Sequence, residues 1–330
     1  MGVRDEIAEQ PEVARRLLRD GRAEAEAIAA ALGHPAFLVV AARGSSDHAA
    51  LYAQHLFGAR RRLTVALAAP SLVTIYDTPP SLAGGAMLAI SQSGQSPDIV
   101  AVLADARRQG VPAIAITNDP ASPLAQAASS RLDLRAGPEH GIAATKTYTA
   151  ELIALAMIAA GGEQDWRELS ALPDAIAAAL GEAVPAFDAE RAIVLGRGYN
   201  YATARELALK LKEAAGVAAE AFSFADFEHG PIALVGADDV VIIVGPSGRV
   251  DAAPVLERIA ARGARAVVLS DRAELLARAA VALPVPPGIP EWLSPIVCGV
   301  AGQRLAVAVA DRRGVDPDAP RGLSKVTRTR

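Results

Sequence analysis

An internal repeat constrains the fold of this chain more than any other feature of its sequence. Three polar anchors recur at one nearly constant spacing: Arg43-Gly44 as Arg197-Gly198, Gly94 as Gly248, and Thr117-Asn118 as Ser270-Asp271. Each anchor lies at the end of a short apolar run or within four residues after it. We therefore predict two copies of one domain, joined within residues 162–187.

Short apolar runs alternate with helical patterns along both copies. The predicted strands include Ala36–Ala42, Met87–Ile90 and Ala113–Thr117, then Ala192–Leu195 and Val240–Val244. Such alternation indicates βαβ units and a parallel sheet that is covered on both faces. The predicted fold class is α/β, with two tandem doubly wound, flavodoxin-like domains.

The expected domain bounds follow from this repeat. Residues 1–165 form a first domain whose leading segment, Asp5–Asp20, reads as one amphipathic helix. Residues 166–187 are expected to be a linker, residues 188–320 the second domain, and residues 321–330 a tail.

The loop between the strand Met87–Ile90 and the next helix is rich in hydroxyls. Pro97 suits the first position of a helix, and Ser96 stands where an N-cap belongs. A loop at a helix N-terminus offers free N–H groups and the positive end of the helix dipole, which together suit a phosphate. An ordinary polar turn has the same composition. The phosphate interpretation gains support because Ser45, Ser46 and Asn118 also follow strands, and ligands of open α/β sheets lie beyond the carboxyl ends of strands. Since Gly245-Pro246-Ser247-Gly248 lacks the matching serine and glutamine, only the first copy is expected to bind phosphate.

Composition excludes several functions. The net charge of −4 argues against a nucleic-acid partner, and the single cysteine, Cys298, excludes an intrachain disulfide framework and a cysteine metal site. No histidine pair has metal-ligand spacing, and no dinucleotide or nucleoside-triphosphate loop occurs, so neither a metal nor a cofactor is expected. The N-terminus lacks an apolar signal segment, and Gln303 and Arg304 interrupt the run Leu293–Ala310. A cytoplasmic protein without a membrane partner is expected.

Seven segments together resemble the sugar isomerase (SIS) family, in particular the isomerase part of glucosamine-6-phosphate synthase and its stand-alone deaminase relatives. They are EIAEQP, RGSS, SQSGQSPD, EHGIAATKTYT, LALKLKE, EHGP and PRGLSKVT, and they span nearly the whole chain. The resemblance implies two SIS domains and a phosphosugar site. Little precedes EIAEQP, so glutamine hydrolysis within this chain is not expected, and free ammonia would be the amine.

The resemblance also implies roles for individual residues. The predicted phosphosugar-binding residues are Ser45, Ser46, Ser91, Gln92, Ser93, Ser96, Ala143 and Lys146. Ala144 departs from the family, which tends to carry serine at that position. Glu213 would move a proton between C1 and C2, Lys210 would stabilise oxyanion charge, and Glu206 would orient Lys210. His229 would open the sugar ring across a homodimer interface, and Lys325 would close over the sugar with the tail as a lid.

Taken without the resemblance, these residues have plainer interpretations. Glu206, Lys210 and Glu213 share one helix face, which is also typical of a solvated salt-bridged stripe. His229 alone could be a structural imidazole, and a C-terminal lysine is usually solvated.

The predicted activity is that of an aminosugar-phosphate deaminase/isomerase, which converts glucosamine 6-phosphate to fructose 6-phosphate and ammonia. Three alternatives stay open: a lyase acting on an N-acylated sugar phosphate, a fructosamine-phosphate deglycase, and a non-catalytic phosphosugar sensor.

Overall fold

The computed structural model describes residues 2–185, 187–320, 322 and 325. Over this range the chain forms two compact units. The N-terminal unit holds residues 12–139 and 146–171 together with Lys325, and the C-terminal unit holds residues 2–11, 140–145, 172–185 and 187–320. Each unit is built around a parallel sheet.

The helices and strands alternate along the described chain. In order they are α1 (Val3–Ala8), α2 (Gln10–Asp20), α3 (Arg22–Leu32), β1 (Phe37–Ala41), α4 (Ser45–Arg61), β2 (Thr64–Leu67), α5 (Ser71–Thr74), β3 (Ala86–Ile90), α6 (Pro97–Arg108), β4 (Ala113–Thr117), α7 (Pro123–Ala127), β5 (Ser130–Asp133), α8 (Lys146–Ala159), α9 (Glu163–Ser170), α10 (Leu172–Gly181), β6 (Arg191–Gly196), α11 (Asn200–Ala215), β7 (Ala218–Ser223), α12 (Phe224–Glu228), a 3₁₀ turn (Pro231–Leu234), β8 (Val240–Val244), α13 (Ala253–Ala261), β9 (Arg265–Ser270), α14 (Ala273–Leu276), β10 (Val281–Pro284) and α15 (Ser294–Arg313).

The two sheets have the same topology. The N-terminal sheet has the order β2-β1-β3-β4-β5, and the C-terminal sheet, taken from its other edge, has the order β7-β6-β8-β9-β10. All the pairings are parallel. Strand β6 therefore corresponds to β1, β7 to β2 and β8 to β3. The predicted α/β class and the internal duplication are confirmed.

Apolar burial holds α11 against its own sheet in the C-terminal unit. Leu207 and Leu211 of α11 pack in one cluster with Val194 of β6 and Leu305 of α15. Burying a leucine side chain is worth about 1.5–3 kcal/mol, so these contacts fix the rotation of the helix. The face that carries Glu206, Lys210 and Glu213 is a different one.

The predicted helix Asp5–Asp20 is wrong, because the segment forms two helices that meet at Glu9. Pro11 cannot donate the backbone hydrogen bond that a continuous helix requires of it to the Ile7 carbonyl. The side-chain amide of Gln10 donates to that carbonyl instead, at 3.1 Å.

The first helix belongs to the C-terminal unit, whereas the sequence led us to expect it in the first domain. Val3 and Ile7 pack against Val307 of α15. The carboxylate of the buried Glu6 accepts hydrogen bonds from the backbone N–H groups of His140 and Gly141. These contacts join three stretches that are distant in sequence.

The segment expected to be a linker is largely helical. Helix α10 lies within residues 166–187, and α9 ends there. Leu169 of α9 and Leu172 and Ile176 of α10 are buried. No helix among the described residues is long and apolar enough to cross a membrane.

Candidate functional site

The phosphate-loop candidates lie where the strand order of the N-terminal sheet reverses. Strands β1 and β3 are neighbours, with Ala41 paired to Ala89, and their chains continue in opposite directions along the sheet. Such a point is the usual ligand site of a doubly wound sheet. Residues 91–96, called the 91–96 loop below, connect β3 to α6.

Gly94 gives the 91–96 loop its shape. Its φ is +61°, and a Cβ atom there would lie 2.1 Å from the Ser122 hydroxyl oxygen and 3.0 Å from the Thr117 hydroxyl oxygen. Both the left-handed backbone and the close approach require glycine. The backbone N–H of Gly94 donates to the Ser91 hydroxyl at 3.2 Å, which closes the turn.

The hydroxyl groups of Ser93 and Ser96, also in the 91–96 loop, differ in their hydrogen bonds. The Ser93 hydroxyl accepts from the backbone N–H of Gln95 at 3.2 Å. Ser96 is the N-cap of α6, but its side chain makes no cap hydrogen bond. Ser96 and Gln92 are both partly exposed, and the Ser96 hydroxyl is not used as a helix cap.

Ser45 and Ser46 form the start of a helix. Helix α4 begins at Ser45, because Gly44, with φ of +58°, turns the chain sharply at the N-cap. The buried Ser46 hydroxyl lies 2.8 Å from a carboxylate oxygen of Glu151 and donates to it. Since that proton is engaged, the partly exposed Ser45 is the better placed hydroxyl donor of the two.

The segment 139–146 is buried at most of its positions. Glu139 accepts from the Thr147 backbone N–H at 3.1 Å and from the Thr147 hydroxyl at 2.8 Å. Ala143 and Lys146 are each 1 % exposed, so contact of either side chain with a ligand would require an opening beside it. His140 is exposed.

Lys325 lies in the N-terminal unit, although it follows the second domain in sequence. Its ammonium lies 2.7 Å from the carboxylate of Glu139. Apart from Gly322 and Lys325, the predicted tail 321–330 is outside the described residues, and so is most of the proposed lid.

Helix α11 carries a cluster of two carboxylates and one ammonium. The Lys210 ammonium lies 2.5 Å from Glu213 and 3.4 Å from Glu206. The side chains of Lys210 and Glu206 are almost fully buried, whereas that of Glu213 is 20 % exposed. Burial alone would lower the pKa of Lys210, but the two carboxylates outweigh it and raise the pKa above its ordinary value. The cluster is therefore buried and charged, unlike a solvated surface stripe.

Glu213 also faces a cleft of about 470 Å³ within the C-terminal unit. Lys212, Arg313 and Asp316 line the same cleft. Arg313 is already engaged, since its guanidinium donates to the Ala215 carbonyl and to Asp188. Glu213 is thus the member of the α11 cluster through which a ligand in the cleft would meet the buried lysine.

His229 caps the C-terminus of the short helix α12. Its backbone N–H donates to the Asp226 carbonyl at 3.1 Å, and the residue is exposed. Gly230 follows with φ of +140°, which turns the chain away. An exposed imidazole on a helix end suits contact with a ligand or with another chain.

In the second repeat, the loop that follows β8 and corresponds to the 91–96 loop is hydrogen-bonded to carboxylates of the chain itself. The backbone N–H of Ser247 donates to Asp271 at 2.6 Å, and that of Arg249 donates to Glu291 at 3.0 Å. A Cβ atom on Gly248 would lie 2.6 Å from the Glu291 side chain. Two backbone donors of this loop are therefore already engaged within the chain. That only the first copy binds phosphate stays a prediction.

Two further observations concern metals and thiols. Among the described residues no group of three or more histidine, cysteine, aspartate or glutamate side chains could hold a metal ion. Cys298 is buried in α15, and burial strongly raises the pKa of its thiol. It packs in the apolar core of the C-terminal unit.

Sequence reasoning missed several of these contacts. Arg43-Gly44 is a repeat anchor, but nothing in the sequence pattern indicates that Arg43 pairs with Asp98. Glu139 opens the segment EHGIAATKTYT, and the pattern does not indicate its ion pair with Lys325. The partners in both pairs are far apart in sequence, and no local pattern connects them.

Comparison with known proteins gives the family. A model of the SIS domain matches residues 36–161 and again residues 187–301. The chain belongs to the SIS domain family. The two matches coincide with the two sheets, so each repeat is one SIS domain.

Relatives of known sequence and structure agree with this assignment. The chain is 34 % identical to a glutamine–fructose-6-phosphate aminotransferase of Thermococcus kodakarensis, over 97 % of this chain and 56 % of the relative. A structure from Silicibacter pomeroyi, assigned as a phosphosugar isomerase, is 34 % identical, has a TM-score of 0.84, and matches over 96 % of this SIS chain and 99 % of that one. The C-terminal domain of an aminotransferase from Francisella tularensis is 25 % identical, with a TM-score of 0.83 and coverage of 96 % and 98 %. This chain thus spans little more than half the length of the curated relatives, whereas each of the two solved structures matches 96 % of it.

Proposed function

We propose that this SIS protein is a cytoplasmic aminosugar-phosphate deaminase/isomerase that works as a homodimer. It would convert glucosamine 6-phosphate to fructose 6-phosphate and ammonia. The observation that carries the proposal is the α11 cluster, in which a partly exposed carboxylate, Glu213, contacts a buried ammonium, Lys210, and opens on a cleft. A proton-transfer reaction at neutral pH uses such a pair, whereas simple binding of a sugar phosphate does not require it.

The proposed reaction divides into four steps. The sugar phosphate docks on Ser45, Ser46 and the 91–96 loop, and His229 opens the pyranose ring by proton transfer. Glu213 then removes the proton at C2 to form an enolamine and returns a proton to C1. The resulting imine at C2 takes up water, and the carbon–nitrogen bond breaks to release ammonia.

Negative charge develops on the sugar oxygen at C1 when Glu213 removes the proton at C2. Lys210, with its pKa raised, stays protonated and supplies a fixed positive charge that stabilises the oxyanion. Glu206 is proposed to orient Lys210. In the same scheme Lys325 closes over the sugar beside Ala143 and Lys146, and His229 comes from the partner subunit.

The test is ammonia release by the purified protein with glucosamine 6-phosphate, with N-acetylglucosamine 6-phosphate in parallel and the products followed by NMR. Ammonia and fructose 6-phosphate from the free amine are expected. Loss of water from the acetylated sugar without ammonia would instead indicate a lyase. Binding of both sugars without turnover would indicate a sensor and would refute the proposal.

A further inference from the structure

Arg43 joins the two loops at the switch point of the N-terminal sheet. It lies between β1 and α4, whereas Asp98 lies in the first turn of α6, directly after the 91–96 loop. The Arg43 Nε atom donates to an Asp98 carboxylate oxygen at 2.8 Å. This ion pair links the loop that carries Ser45 to the loop that carries Ser91 and Ser96.

Asp98 requires a positive partner at this position. It is 1 % exposed, and its second carboxylate oxygen accepts from the Ile99 backbone N–H at 2.9 Å. A buried carboxylate at the N-terminus of α6 is stabilised by the helix dipole, but it also opposes the approach of another anion to that helix end. The guanidinium of Arg43 offsets this negative charge.

The ion pair with Asp98 uses only part of the hydrogen-bonding capacity of the Arg43 guanidinium. A guanidinium carries five N–H groups in a planar fork, and Asp98 engages only the Nε–H. Among the described residues the two terminal nitrogens have no hydrogen-bond partner, and the side chain is 50 % exposed. A half-exposed guanidinium that is held at one edge keeps its other edge for a planar or tetrahedral oxyanion.

The loop residues around Arg43 supply hydroxyl and amide groups but no charge: Ser45, Ser91, Gln92, Ser93 and Ser96. We propose that Arg43, positioned by Asp98, is a specificity-determining residue that binds the phosphate group of the sugar phosphate. Asp98 holds the guanidinium at its Nε edge, and the terminal nitrogens donate to phosphate oxygens. The identity of the sugar in this proposal rests on the proposed function, whereas the binding of a phosphate group by Arg43 does not.

The test is the affinity of the intact protein for fructose 6-phosphate and for inorganic phosphate, measured by calorimetric titration. We expect Arg43→Met to weaken both by about 10- to 100-fold, the range expected when a charge-assisted hydrogen bond is lost. Arg43→Lys keeps the charge but not the fork, so it should recover only part of the affinity. If turnover is found, KM should rise while kcat stays near that of the unmodified protein, since phosphate binding is equal in ground and transition states.

The internal repeat provides a matched control. Arg197 holds the corresponding position after β6, is exposed, and has no partner among the described residues. Arg197→Met removes the same side chain from the copy whose loop is engaged by Asp271 and Glu291, and it should leave both affinities unchanged.

Asp98→Asn separates positioning from net charge. A purely electrostatic contribution predicts tighter phosphate binding, because a negative charge is removed beside the loop. Positioning of Arg43 by Asp98 predicts weaker binding despite the more positive site. Thermal unfolding of each variant shows whether the fold is retained.

The outcomes are distinct. An unmodified protein that binds neither ligand would refute the proposed function together with this inference. If the unmodified protein binds, and a folded Arg43→Met variant binds equally well, only the inference is refuted. Tighter binding by Asp98→Asn would overturn the positioning role of Asp98.

Discussion

Replacing Glu213 with glutamine tests the chemistry and the electrostatics of α11 in one variant. Glutamine keeps the size of the side chain and one acceptor oxygen, so the short contact with Lys210 can persist as a neutral–charged hydrogen bond. It cannot accept the proton at C2. Loss of a general base lowers the rate by about 10²- to 10⁴-fold, and we expect kcat to fall within that range while the affinity for fructose 6-phosphate changes little.

The effect on stability follows from the burial of Lys210. Removing one partner of a buried ion pair costs about 3–5 kcal/mol when the remaining charge is uncompensated. Here Glu206 stays 3.4 Å from the ammonium, glutamine retains an acceptor, and Glu213 is itself 20 % exposed. We therefore expect a smaller loss of unfolding free energy, about 1.5–3 kcal/mol, the range for a hydrogen bond to a charged group.

The pH dependence has a definite sign. The folded-state pKa of Lys210 is raised above its ordinary value of 10.5, so the ammonium binds its proton more tightly in the folded state. Its stabilisation is fully present below the unfolded-state pKa and is lost as the pH rises through the folded-state pKa. Glu213→Gln should diminish this rise in pKa, so the loss of stability on the alkaline side should be smaller in the variant and should be complete at a lower pH.

Urea unfolding at neutral and alkaline pH, combined with the ammonia-release assay, measures these quantities. Glu257→Gln is the matched control, because Glu257 makes a 3.4 Å ion pair with Arg278 on the surface and is 67 % exposed. We expect it to leave kcat unchanged and to alter stability by less than about 0.5 kcal/mol. Turnover by Glu213→Gln within tenfold of the unmodified enzyme, about 1.4 kcal/mol in barrier height, would refute the assignment of the base. Unchanged stability and unchanged alkaline unfolding would refute the described electrostatics.

Other predictions follow from single contacts. Gly94→Ala should destabilise the protein by about 1–3 kcal/mol and abolish phosphate binding in calorimetry, because it adds a clash with Ser122 to the backbone strain. The control is Gly137→Ala, which has a φ of +69° and open space around its Cβ position and should therefore show only the effect of the strain. Equal effects of the two substitutions would contradict this prediction. Cys298 should resist a thiol reagent in the native protein and react on unfolding, because it is buried and burial raises the pKa of its thiol. Rapid labelling of the native protein would contradict this and would show that α15 exposes the thiol to solvent. Glu6→Ala should lower the unfolding temperature by removing the acceptor for two buried or partly buried N–H groups, and an unchanged melting curve would argue against that role.

The outlines of the fold could be predicted from the sequence because local patterns encode them. Apolar runs such as Ala113–Thr117 and Val240–Val244 match the strands residue for residue. The repeat anchors predicted two sheets of one topology, and the spacing of Glu206, Lys210 and Glu213 placed them on one face of a helix. Periodicity and turn chemistry act over a few residues, so a single sequence carries them directly.

The partners of individual side chains were decided by tertiary structure. The sequence pattern favoured one helix over Asp5–Asp20, and only the packing of Val3 and Ile7 against Val307 shows which unit the first turns join. The pairing of Arg43 with Asp98, of Ser46 with Glu151 and of Lys325 with Glu139 depends on how strands are ordered in the sheet and on where the chain returns to it. Such contacts form between residues from 55 to 186 positions apart, and no local propensity distinguishes them from the many other pairs of the same chemistry.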